Sequence, residues 1–158
     1  MSHLVTNLLN KLGVQDLPNF KPQKGPLLIV GSSQCVWEDL QNTNLNVDIM
    51  CVNDIVMHIP FKVKHIYSND HHMLPNWIKA RRPSLRKEFG SDITQHTCQV
   101  GFPNQVIWPW PGHGTSGLGA VYTGIALGYE SITLAGMPID GSGHYFDGPY
   151  SKFTDYVK

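Results

Sequence analysis

"HGTSGLGAVYTGIALGYESITLAGM", residues 113–137, decides the fold. It runs through a glycine-rich turn, an apolar helix, a stop and a short apolar strand. Leu118, Val121, Tyr122, Ile125 and Tyr129 recur at three- and four-residue spacing, which gives a helix over 116–128 one apolar stripe. Gly128 stands where a left-handed C-terminal cap belongs. "SITLAGM", 131–137, then reads as a buried strand that ends at Gly136.

The same alternation extends upstream. "LLIV" (27–30) stops at Gly31, and "VDIMCVND" (47–54) and "VKHIYSND" (63–70) each end in a polar pair. Runs this short, bounded by turn signals, suit strands buried on both faces. "ITQHTCQV" (93–100) is more polar and alternating, which puts it at a sheet edge; "QVIW" (105–108) is a weaker candidate. Helices are expected in "QCVWEDLQNT" (34–43) and in "LPNWIKARRPSLRKEF" (74–89), the latter broken at Pro83. Strands alternating with helices imply an α/β fold. We expect a Rossmann-like three-layer sandwich with a mostly parallel sheet of about five or six strands and right-handed crossovers. Residues 1–26 form an N-terminal helix, with Leu4, Leu8, Leu9 and Leu12 on one face and Gly13 as its stop, and a proline-punctuated connector. Residues 27–158 form a single Rossmann-like domain.

The chain has 158 residues, with 12 Lys plus Arg against 12 Asp plus Glu. No global field steers it toward nucleic acid or a membrane surface. The densest basic run, "KARRPSLRK" (79–87), reads either as a solvated helix or as an anion contact. No apolar run approaches the ~20 residues of a membrane span, and the N-terminus does not resemble a signal peptide. The three cysteines, Cys35, Cys51 and Cys98, are far apart and form no CxxC. Reduced thiols in a cytoplasmic protein follow. The tryptophan–proline corner and the leucine-striped helix are the apolar surfaces through which a homo-oligomer would form.

Open parallel sheets bind ligands beyond the carboxyl ends of their strands. Here those ends carry Gly31, Ser32 and Ser33; Asn53 and Asp54; Asn69 and Asp70, followed by His71 and His72; and Gly136 before "PIDGSGHYFDG". "GHGTSG" (112–117) joins the same rim. Thr115 or Ser116 can cap the helix, its first N–H groups are free, and Gly114 and Gly117 permit close approach. The pattern reads equally as a phosphate cradle or as a glycine corner. It is neither a P-loop nor a GxGxxG fingerprint. "WPWPG" (108–112) reads as an aromatic wall for a base or sugar, or as a packed corner. His113, just before the cradle, and His144, in a glycine-rich loop, are general-base candidates. Asp70 can bridge a magnesium ion to a diphosphate. Cys35 opens a short helix, a position that can activate a thiol.

The order "LLIVGSS…CVND…IYSND…GTSGLGAVYTGIALGYESITLAGMPIDGSGHYFD" resembles a Rossmann-like superfamily. Its members include the bacterial family 42 sialyltransferases and the archaeal-type hydroxymethylpterin pyrophosphokinase-like proteins. The resemblance spans about 27–148 and is most specific at 114–137. It implies a site for a small-molecule nucleotide or nucleotide-sugar, such as a cytidine nucleotide, and transfer of a glycosyl or diphosphate group. It puts Gly31, Ser32 and Ser33 under the phosphates, Asn53 and Asn69 on phosphate, ribose or sugar, and Thr115 and Ser116 at the helix end. Gly136 and the loop after it would close over the base or ribose, with Tyr145 on phosphate. The family's first turn reads Gly-x-Gly-Pro-Ser where this chain has "GSSQC". No residue here matches the general-base histidine that the sialyltransferases carry further on.

Overall fold

The computed structural model describes residues 3–112 and 114–138. Six strands form one sheet, in which every pairing is parallel: β1 (Pro26–Val30), β2 (Asp48–Val52), β3 (His65–Tyr67), β4 (Thr94–Thr97), β5 (Gln105–Ile107) and β6 (Ser131–Ala135). Their order is β5-β4-β3-β2-β1-β6. Strands one to five are laid down outward in chain order, and the chain then returns to set β6 on the other side of β1. The direction of winding therefore reverses between β1 and β6, the place where open α/β sheets leave a crevice.

Successive strand residues face opposite layers. Leu28, Val30, Ile49, Cys51 and Ile66 pack with α2 (Val36–Gln41), the 3₁₀ turn Asn53–Met57 and α3 (Leu74–Ala80). Leu27, Ile29, Met50, Val52 and Tyr67 pack with α1 (His3–Leu12) and α5 (Ser116–Leu127). The expected break at Pro83 is present: α3 stops at Ala80, and Pro83 opens α4 (Pro83–Phe89) at its first position, where its missing N–H costs nothing. No described helix is long and apolar enough to cross a membrane.

Three expectations change. The helix α5 does not bury its large stripe: Leu118 is exposed and Val121, Tyr122 and Ile125 are half-buried. Its buried residues are Gly119, Ala120, Thr123, Gly124, Ala126 and Leu127. Small residues let the helix backbone lie close on the sheet; a Cβ at Gly124 would sit 2.8 Å from Leu27 Cδ2. Gly128 does cap the helix in the left-handed region, at φ 94°. In α1 the buried pair is Val5 and Leu9, while Leu4 stands in solvent.

The strands β4 and β6 exchange roles. The polar β4 is internal, with Gln95, His96 and Thr97 buried, and β6 is an edge strand with Leu134 exposed. Buried polar groups are tolerated when they are paired. Gln95 accepts from Gln105 at 3.1 Å. His96 lies 3.0 Å from both His65 and the Trp108 indole nitrogen, and His65 lies 2.8 Å from the Tyr129 hydroxyl.

Candidate functional site

The carboxyl ends of the strands carry two groups of the residues singled out above. The first lies at the β1/β6 reversal. Gly31 donates to the Ala135 carbonyl at 2.8 Å and Ser33 to the Gly136 carbonyl at 3.0 Å, so the two strand ends are laced together. A Cβ at Gly31 would lie 2.6 Å from the Gly136 carbonyl oxygen and 2.6 Å from Met137 Cγ. Gly136 itself holds φ 64° and donates to Asp39 Oδ2 at 2.7 Å. The space of a side chain at 31 is thus taken by the Gly136 backbone and Met137, and that at 136 by the Gly31 carbonyl and Val36. Ser32 and Ser33 are buried beneath this turn.

The second group gathers at the ends of β2 and β3 and the start of α5. Asn53 is the one non-glycine with positive φ (59°) among the described residues. Asparagine tolerates that region better than most residues. Its Oδ1 accepts from Ser68 Oγ at 2.7 Å, and Ser68 Oγ accepts from the Asp70 N–H at 2.9 Å. Asn69 ties this corner to the helix: its N–H donates to Ser116 Oγ at 3.1 Å, and its Nδ2 donates to the Gly114 carbonyl at 2.8 Å. The Asn69 Oδ1 accepts from Tyr67 and Cys98, both at 3.2 Å. Asn69 therefore holds the glycine-rich loop in place.

At the helix start, Thr115 is the N-cap and its Oγ1 accepts from the Leu118 N–H at 3.3 Å. The N–H groups of Ser116 and Gly117 precede any intrahelical partner and have none among the described residues. They are the positive end of a 12-residue helix. A Cβ at Gly114 would meet nothing nearer than Leu118 Cδ2 at 3.7 Å, so the space there is open. A Cβ at Gly117 would fall 2.5 Å from Met137 Cε. The Met137 side chain thus fills the space between the β1 turn and the α5 N-terminus and divides the two groups.

Beside the helix start lies a pocket of about 200 Å³, lined by Tyr67, Asn69, Trp110, Gly114, Thr115 and Tyr122, with Leu12 and Leu118 at its apolar margins. Trp110 meets Tyr122 edge-on with ring centres 5.8 Å apart, and stacks on Trp108 at 5.4 Å and 8°. Its Nε1 donates to Thr123 Oγ1 at 2.9 Å, so the indole is fixed against α5. Of the two readings of "WPWPG", the packed corner is present, with Trp108 and Trp110 both buried, and Trp110 also lines the pocket.

The exposed Asp70 carboxylate stands at this rim, at the start of the short 3₁₀ turn His71–Met73. His71 packs edge-on to Phe102 and His72. No group of three or more metal-ligating side chains occurs among the described residues. Cys35 is the N-cap of α2, and burial and its bond to Asp39 at 3.2 Å push its thiol up, the opposite of the activation a helix start can give. His113, His144 and Tyr145 lie outside the described residues.

Sequence reading located Asn53, Asn69, Asp70 and the 114–117 turn but missed Ser68 and Met137. Ser68 had a visible signal, since it precedes the polar pair that ends β3. Met137 had none, because its role depends on which strands adjoin. No family model, curated protein or solved structure matches the chain.

Proposed function

We propose that the chain binds a nucleoside phosphate or nucleotide conjugate at the rim and transfers a glycosyl or diphosphate group from it. The observation that carries this reading is one juxtaposition. A small pocket walled by Tyr67, Trp110 and Tyr122 abuts a helix start with two N–H groups that have no partner among the described residues. At about 200 Å³ the pocket is smaller than the ~300–1,000 Å³ of whole-ligand clefts. It suits one flat moiety, a base or a sugar, with the phosphates outside at Gly114, Thr115, Ser116 and Gly117. Asp70 would share a magnesium ion with a diphosphate, and His113 or His144 would activate the acceptor. The resemblance to the sialyltransferases supports a cytidine nucleotide among the possible donors.

One observation favours a second reading, a module that binds without turnover. Ser68 donates to Asn53, and Asn69 spends its side chain on Gly114, Tyr67 and Cys98 and its N–H on Ser116, which leaves Asp70 as the exposed carboxylate beside them.

A thermal-shift panel of CMP, CDP, CTP, UDP, GDP and ATP, with and without magnesium, tests the site. Ligand at ~100 times its dissociation constant adds about 2.7 kcal/mol of stability. A base-selective rise is expected, and Gly114→Asp, which puts a negative charge into open space, should remove it. A flat panel sinks the reading. Release of the free nucleotide from a CMP-sugar then separates transferase from binding module, and His144→Ala should stop release while sparing the shift.

A further inference from the structure

A larger cavity, about 570 Å³, opens at the other end of the sheet. Asp48, His65 and Thr94, the first residues of β2, β3 and β4, all line it, so it lies at the strands' amino ends. One wall is apolar: Phe20 from the connector, Val106 from β5 and Leu127 from α5. The Phe20 ring packs on Trp108 with centres 5.2 Å apart, which fixes the connector against the core.

The polar groups around this cavity are unevenly used. Asp48 is neutralised by Lys64 at 2.6 Å, and the same oxygen accepts from Tyr129 at 2.8 Å. Every ring nitrogen of His65 and His96 is engaged in the bonds described above, so neither imidazole offers the cavity a free donor or a free base. What remains at the mouth is Lys21 from the connector, Lys62 from the β2–β3 connection, and Asp92. Neither lysine has a carboxylate within ion-pair distance among the described residues. Two ammonium groups against one carboxylate leave the mouth positive, and the volume behind it falls in the range of small-molecule sites.

We infer that this cavity is a second ligand site, which takes a small organic anion with a flat apolar body. The anionic group sits between Lys21 and Lys62, and the body lies along Phe20, Val106 and Leu127. Charge-assisted contacts of this kind select sign and fix orientation, while apolar burial supplies most of the affinity. A cation is disfavoured because the one inward carboxylate is already paired. The site is separate from the rim and does not depend on the nucleotide reading.

The test uses 8-anilinonaphthalene-1-sulfonate, an aromatic sulfonate that fluoresces in apolar surroundings, titrated into the full chain at neutral pH. Saturation at one probe per chain is expected, weakened by salt because the ammonium groups are exposed. Lys21→Glu and Lys62→Glu should each lower affinity about tenfold, the equivalent of ~1.4 kcal/mol, with the melting transition retained. Thr94→Trp should expel the probe by filling the cavity. Leu118→Arg, at the rim pocket, should leave binding unchanged. Fluorescence that rises without saturating overturns the site, as does binding lost with Leu118→Arg. Binding that tolerates both charge reversals overturns the anion assignment even where Thr94→Trp expels the probe.

Discussion

Trp108 places its indole Nε1 3.0 Å from Nδ1 of His96, and this contact sets the protonation of the side chains beyond it. An indole N–H only donates, so His96 Nδ1 is bare and the neutral ring carries its proton on Nε2. That atom lies 3.0 Å from His65 Nδ1, which must accept. The His65 proton is then on Nε2, 2.8 Å from the Tyr129 oxygen, and Tyr129 donates its own proton to Asp48. The chain ends on an acceptor-only carboxylate, so each proton points the same way, an arrangement in which hydrogen bonds reinforce one another. Both imidazoles should therefore be neutral Nε2–H tautomers at pH 7. Long-range ¹H–¹⁵N correlation spectra of the ring nitrogens read this directly. An Nδ1–H tautomer at either ring would contradict the chain.

Acid should dismantle this chain. Burial, aided by nearby Lys64 and opposed by Asp48, pulls His65 down to about 4, and burial with the neighbouring His65 holds His96 well below its usual range. The unfolded state binds these protons near pH ~6.5. The histidine contribution is thus complete above about pH 6.5 and is lost as pH falls toward 4. For Asp48, burial alone would raise the carboxyl, but its bonds to Lys64 and Tyr129 outweigh that and hold it low. Its contribution is therefore lost at still lower pH. Urea midpoints measured from pH 8 to 4 should fall across the histidine window. In His65→Gln the pH dependence should be flatter, on a lower baseline.

Removing the link before Asp48 should cost more than one hydrogen bond. Tyr129→Phe leaves a buried His65 N–H without its acceptor and strips one donor from Asp48. An unsatisfied buried polar group costs about 1–3 kcal/mol. Denaturant unfolding should show a loss in that range, with Lys64 still bonded to Asp48. A change below ~0.5 kcal/mol would show that the chain contributes little.

Two glycines of the rim pocket should answer differently to the same substitution. A Cβ at Gly119 runs into the Tyr67 phenol, whereas one at Gly114 meets only Leu118 at 3.7 Å. Overpacking of this kind costs about 1–3 kcal/mol. Gly119→Ala should lower the melting temperature and displace Tyr67 from Asn69, while Gly114→Ala should melt like the parent. Equal melting of the two variants would mean that the pocket wall yields easily.

These contrasts mark what the sequence could and could not say. Short apolar runs ending in "ND" or glycine carry a strong period-free signal, and they gave the strands, the parallel class and the rim that holds Asn53, Asn69 and Asp70. The polarity of β4 misled because satisfaction of Gln95 and His96 comes from Gln105, His65 and Trp108, partners that adjoin only after the sheet forms. The stripe on α5 misled because large residues dominate a periodicity count, while the sheet selects the small face at Gly119, Ala120 and Gly124. Tyr129 looked like part of that stripe, and its hydroxyl is instead a link to Asp48. The amino-end cavity had no local signature, since its walls come from the connector, four strands, the loops before them and α5.

Met137 is the residue whose removal would most change the rim. Its side chain fills the space that glycines leave at both positions 31 and 117, and so separates the β1 turn from the α5 N-terminus. Truncation to alanine removes a half-buried, flexible side chain, at a cost of about 1–2 kcal/mol, below the 2–5 kcal/mol typical of fully buried methionine. The same change clears the space between Gly31 and the N–H groups of Ser116 and Gly117, which have no partner among the described residues. An anion at the helix end then has room to settle against the β1 turn as well as on the amides. Met137→Ala should therefore melt lower than the parent, yet gain a larger rise in melting temperature with inorganic pyrophosphate. If Met137 only packs, the variant will melt lower and pyrophosphate will raise both proteins equally. A smaller rise in the variant would mean that the methionine itself shapes the anion site.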